Sequence, residues 1–114
     1  MMDDPAERIQ AILVAYQDAA RQHGEALDNR VEAKAALDEA LADARYNGQI
    51  EGKNEADREA HARQMFHELY RAVTEAERLV IRTRTELDIA EAALVAAHTL
   101  ANLATGRGTL LEAA

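Results

Sequence analysis

The sequence predicts an all-α fold: a long antiparallel helical hairpin of coiled-coil type that assembles into a four-helix bundle or a higher oligomer. Three observations predict it. Apolar and small residues recur at alternating intervals of four and three in two long stretches, the pattern of a helix with one buried seam. Between those stretches a single segment, YNGQIEGKNEADREA, gathers Asn47, Gly48, Gly52 and Asn54, the residue types that end and restart helices. The 48% hydrophobic fraction is nearly half alanine, with one Phe, three Tyr and no Trp. That is too little bulk for a compact globule, but enough for two helices in close contact.

The first helix, about residues 5–46, begins at Asp4-Pro5-Ala6-Glu7. Asp4 can cap, Pro5 suits the first helical position, and Glu7 completes a capping box. Gly24 is read through, because one glycine costs only about 1 kcal/mol relative to Ala among strong helix formers. The expected seam is Ile9, Leu13, Tyr16, Ala20, His23, Leu27, Val31, Leu37, Leu41 and Ala44, weakening around residues 30–34. The turn occupies residues 47–53, and Ile50 at its middle is expected to plug the end of the hairpin. The second helix, about 54–104, starts with Asn54 as N-cap and Asp57 in the capping-box position. Its seam is Ala62, Phe66, Leu69, Val73, Ala76, Val80, Thr83, Leu87, Ala90, Leu94, Ala97 and Ala101. Gly106 is expected to end it, leaving a tail over 105–114 in which Leu110 and Leu111 fold back. The whole chain, 1–114, is thus a single helical-hairpin domain.

A hairpin alone leaves the far side of each helix uncovered. Apolar residues off the main seam, Ile12, Val14, Leu79, Ile81, Ile89, Val95, Leu100 and Leu103, form a second stripe and predict a partner helix, hence a homodimer or higher oligomer. The alternative is a monomeric hairpin with a few exposed aliphatics.

Composition excludes several classes. Without Cys there is no disulfide framework, thiolate metal site or cysteine nucleophile. The segment MMDDPAERIQ is acidic and unlike a signal peptide, and no apolar run approaches the roughly 20 residues of a membrane span. A cytoplasmic location and no membrane partner are expected. A net charge of −8 argues against general nucleic-acid binding. Four His are present without an i,i+3 or i,i+4 pair and without any Glu-x-x-His, so neither a metal nor another cofactor is expected. Glu75, Glu77, Glu86, Asp88 and Glu91 lack the facing Glu-x-x-Glu pairs of a magnesium-dependent pyrophosphohydrolase and read as solvated helix faces. No nucleophile, base and orienting group can be named together, so no enzyme is expected and no catalytic residue is assigned.

Basic residues within this acidic chain are the candidate ligand-binding groups. Arg45, Lys53 and Arg58 flank the turn, where glycines permit close approach and Asn54 begins a helix whose N–H groups face the loop, the ingredients of an anion site. Arg71, Arg78 and Arg82 lie at i, i+7 and i+11 along one helical face, and Tyr46 or Tyr70 could stack on a base. The bland alternatives are an ordinary helix–helix bend and i,i+4 pairing with Glu75 and Glu86.

Gly48, Ile50, Gly52, Lys53, Asn54 and Arg58 match Gly-x-Ile-x-Gly-Lys-Asn-x-x-x-Arg, and the turn so defined resembles that of small helical-hairpin proteins encoded by bacteriophages and prophages. The resemblance implies a viral accessory protein acting in the bacterial cytoplasm; it carries over no functional residue. Two function classes remain. One is an oligomeric binding module that sequesters an anionic, nucleotide-like ligand as an anti-defence sponge, through Arg45, Lys53, Asn54, Arg58 and the Arg71, Arg78 and Arg82 face. The other is a structural or adaptor coiled coil binding a phage or host protein in recombination or assembly, with an acidic DNA mimic as a variant.

Overall fold

The computed structural model describes residues 4–113, and the side chains of residues 4–106. It is all-α, a helical hairpin, with no strand among the described residues. Helix α1 spans Pro5–Tyr46, α2 spans Glu55–Met65 and α3 spans His67–Ala113. Asp4 caps α1 as expected: its Oδ1 accepts from the Ala6 N–H at 3.0 Å, and Pro5 is the first helical residue. Gly24 lies inside the uninterrupted α1.

Contacts divide the chain into two units. One is formed by residues 24–82, the second half of α1 with the loop, α2 and the start of α3; the other pairs the chain up to His23 with the chain from Thr83 onward.

In the loop unit the core is small and built from few large groups. Leu37, Leu41 and Ala62 are buried, and Ile50, Phe66, Leu69, Tyr70 and Val73 pack against them. Ile50 therefore does plug the end of the hairpin. Ala26, Ala44 and Ala76 are also buried. Alanines at these positions let the two backbones approach closely, which is how a chain so poor in bulky residues forms a seam at all.

In the terminal unit the seam is thinner. Leu13, Tyr16, Ala19, Leu87, Ala90, Leu94 and Ala97 are half-buried, and the most buried residue is polar: Thr83, whose Oγ1 lies 2.9 Å from His23 Nδ1. A hydrogen-bonded polar layer in an apolar seam contributes little net energy but favours one register, because a slip parts His23 from Thr83.

The seam expected for the second helix holds from Ala62 through Ala97, every position being buried or half-buried; Ala101 is exposed. The α1 seam needs correction. Ala19 is half-buried where Ala20 was expected, and between Leu27 and Leu37 the inward positions are Arg30 and Ala33, with Val31 pointing out at 63% exposure. The four–three spacing does not weaken there. It continues through residues without hydrophobic contrast, a long Arg whose stem can lie along apolar surface and a small Ala.

Two further expectations are corrected. The second helix is not continuous: at Phe66 the backbone turns to φ −114°, ψ 32°, dividing α2 from α3. No Pro or Gly stands there, and the bonds from Phe66 N–H to Ala62 O (2.9 Å) and Tyr70 N–H to Phe66 O (3.0 Å) persist, so the twist is local and coincides with the Phe66 ring packing on the loop-unit core. Gly106 does not end α3, which continues to Ala113. Among the described residues only Gly48 and Gly52 have positive φ, so Gly106 never adopts the left-handed conformation that would stop the helix. The expected fold-back of Leu110 and Leu111 lies outside the described side chains. Between His67 and Gly106 an 18-residue window of α3 has mean hydropathy 1.2, none of it buried, although its uncharged stretch covers only residues 92–106. By length and composition that helix could cross a membrane, and a helix awaiting a protein partner meets the same criterion.

Candidate functional site

The turn motif resolves into separate structural tasks. Gly48, at φ 67°, is the residue just past the C-cap of α1: its N–H donates to Arg45 O at 3.2 Å and the Gln49 N–H donates to Ala44 O at 2.9 Å, the paired bonds of a Schellman motif. Gly52, at φ 157°, lies against the first turn of α2. A Cβ there would sit 2.6 Å from the Arg58 nitrogen and 2.8 Å from the Asp57 carbonyl carbon, so no side chain fits. Asn54 caps α2, its Oδ1 accepting from the Asp57 N–H at 2.8 Å. The Glu51 N–H donates to His61 Nδ1 at 2.9 Å, which ties the loop to α2 and leaves the neutral ring's proton on Nε2.

These contacts employ Gly48, Ile50, Gly52 and Asn54. They leave two members of the motif, Lys53 and Arg58, without a side-chain hydrogen bond or ion pair among the described residues. Arg58 lines a cleft of about 560 Å³ together with Arg45, Ile50, Glu55, Glu59, Ala62 and Tyr70. The volume is in the range of small-molecule sites. Its two guanidinium groups come from different elements, the last turn of α1 and the first turn of α2, so formation of the loop is what brings them to one place. Guanidinium stays charged at any physiological pH and binds phosphate oxygens in bidentate geometry. The carboxylates of Glu55 and Glu59 share the cleft; Glu59 is held by Arg63 at 3.4 Å, and Arg63 in turn lies 4.7 Å over the Tyr70 ring.

Sequence reasoning placed more residues in this site than the cleft contains. Of the candidates, Arg45, Arg58 and Tyr70 line it; Lys53, Asn54 and Tyr46 do not, and Tyr46 is 93% exposed. Asn54 is occupied as a cap, and it takes up the Asp57 and Arg58 N–H groups through Oδ1 and its own carbonyl. The helix N-terminus is thus less open to an anion than the sequence suggested, and Glu55 and Asp57 already complement its dipole. Any anion here is held by side chains. Arg71, Arg78 and Arg82 are exposed on α3 outside the cleft: Arg71 pairs with Glu75 at 3.1 Å, while Arg78 and Arg82 make no ion pair among the described residues. Glu77 pairs with Lys34 at 3.5 Å and Asp88 with Arg84 at 3.2 Å, ordinary surface contacts of small energetic weight. Glu55 and Glu59 are the cleft residues that sequence reading passed over; their i,i+4 spacing on one face of α2, beside Arg58, was the available signal.

Among the described residues no three His, Asp or Glu side chains gather in a way that could hold a metal ion. No protein-family model, curated protein or solved structure matches this chain.

Proposed function

We propose that the protein is a non-enzymatic binding module that holds a phosphate-bearing, nucleotide-like ligand in the cleft between the end of α1 and the start of α2. The observation that carries this reading is the convergence of Arg45 and Arg58, two cations without ion pairs among the described residues, in a chain of net charge −8. Glu55 and Glu59 sharpen the ligand class. Bare phosphate gains nothing from neighbouring carboxylates, whereas a nucleotide offers ribose hydroxyls and base amino groups as donors to them. The ligand is bound and not transformed. With the phage-like turn, this describes an anti-defence accessory that sequesters a nucleotide signal.

Calorimetric titration with linear and cyclic nucleotides tests it. Binding is expected to weaken 10- to 100-fold in Arg58→Glu and in Arg45→Glu, about the worth of a charge-assisted bidentate contact, and to be unchanged in Arg71→Glu. Equal loss in all three variants, or no nucleotide binding by the parent protein, overturns the reading.

A second reading is favoured by a different observation. Ile89, Val95, Leu100 and Leu103 stand exposed along α3, as on the binding face of a structural or adaptor coiled coil.

A further inference from the structure

The outer face of α3 carries a pattern its inner seam does not explain. Within the terminal unit, Ile89, Ala92, Ala96, Leu100 and Leu103 fall at successive intervals of three, four, four and three. At 100° per residue they form one narrow stripe, roughly 140° from the seam of Thr83, Leu87, Ala90 and Leu94. The stripe contains no charged residue, and residues 92–106 contain no Asp, Glu, Lys or Arg at all. Ile89, Leu100 and Leu103 are 66%, 67% and 59% exposed.

The interval pattern is a palindrome centred on Ala96. We propose that this face binds a second copy of the chain, α3 against α3 in antiparallel orientation, with the two-fold axis at Ala96. Three features select that occupant. The first is self-complementarity, which an isologous interface requires: about Ala96, Leu100 of one copy meets Ala92 of the other, Ile89 meets Leu103, and the small Ala96 pair lets the helices approach at the axis. The second is charge. A parallel pair would set Asp88, which flanks the stripe, beside Asp88 of the other copy, whereas antiparallel pairing lays Asp88 opposite the uncharged Ala104 and separates the two Asp88 by about 24 Å along the axis, beyond a Debye length of roughly 8 Å. The third is area. Ile89, Leu100 and Leu103, with the exposed Ala92 and Ala96 between them, hold on the order of 500 Å² per copy, so two copies approach the ~1,000 Å² from which specific interfaces begin. The inference does not depend on the cleft, which lies in the loop unit.

Because the chain has no cysteine, single cysteines report the geometry directly. In Ala96→Cys the two thiols face each other across the axis, and oxidation is expected to give a covalent dimer. In Ala92→Cys they lie about 12 Å apart along the axis, too far for a disulfide, and the chain is expected to remain uncrosslinked. Sedimentation equilibrium should show the parent protein as a dimer, and Leu100→Glu should raise the dimer dissociation constant more than tenfold with helicity by circular dichroism unchanged. A monomeric parent, crosslinking at position 92 in place of 96, a dimer indifferent to Leu100→Glu, or partition of the chain into lipid vesicles as a monomer would each overturn the proposal.

Discussion

The loop unit and the terminal unit use the same helices in opposite ways. In the loop unit, residues 24–82, nearly every element end is closed by a named contact: a Schellman pair at Gly48, a cap at Asn54, an N–H held by His61, and an aliphatic plug at Ile50 over buried Leu37 and Leu41. Among its described residues the terminal unit has a part-buried polar contact, His23 with Thr83, a half-buried seam, and apolar side chains facing outward. Local chemistry therefore completes one region within the chain, while the other leaves apolar surface over. The proposed self-association uses that surface, and the proposed ligand site uses the unused cations of the completed region.

The sharpest way to break this comparison is at Gly52. Gly52→Ala places a Cβ 2.6 Å from backbone and holds it at φ 157°, and we expect a loss of about 3 kcal/mol of stability together with loss of the loop that unites Arg45 with Arg58. Gly48→Ala is the control: it meets no atom within 4 Å and bears only the left-handed cost, about 1 kcal/mol. Urea unfolding at fixed protein concentration distinguishes them; equal effects would show that packing against α2 is not what requires Gly52.

Next in size is a matched pair of truncations. Leu41→Ala removes a buried side chain from the loop-unit core and should cost ~2–3 kcal/mol, while Leu87→Ala in the half-buried terminal seam should cost ~1 kcal/mol. Hydrogen exchange should likewise protect the amides around Leu41 more strongly than those around Leu87. If the order reverses, the terminal unit holds more of the folding energy than its burial shows. Smaller again is Asn54→Ala, expected to cost ~1 kcal/mol through the lost cap on Asp57 N–H and to fray α2 from its first turn, read as faster exchange at Asp57 and Arg58.

The sequence discloses these regions unevenly, for reasons visible at particular residues. The α3 seam is legible because Phe66, Leu69, Val73, Val80, Leu87 and Leu94 contrast with charged neighbours. The α1 seam is partly hidden because Ala19, Arg30 and Ala33 give no hydropathic signal and Val31 gives a false one. The motif Gly48–Asn54 is legible as a turn since each residue has a local task. The break at Phe66 is not, since it coincides with packing on a cluster that includes Leu37 and Leu41, distant in sequence. Of the site, the cations Arg45 and Arg58 could be read from their places beside the turn. That Tyr70 joins them and Tyr46 does not depends on how the chain turns between them.

Gly24 gives the smallest predicted effect and probes the boundary itself, since the two units meet in α1 between His23 and Gly24. It sits mid-helix, and a Cβ there meets nothing within 4 Å. If glycine is merely tolerated at this point, Gly24→Ala removes unfolded-state entropy and stabilises the protein by about 0.5–1 kcal/mol. A stabilised variant whose two units exchange amide hydrogens more alike would show that the glycine uncouples them. A destabilised one would mean that α1 uses the backbone freedom of glycine at this point, and that the difference between the units is built into α1 as well as into its partners.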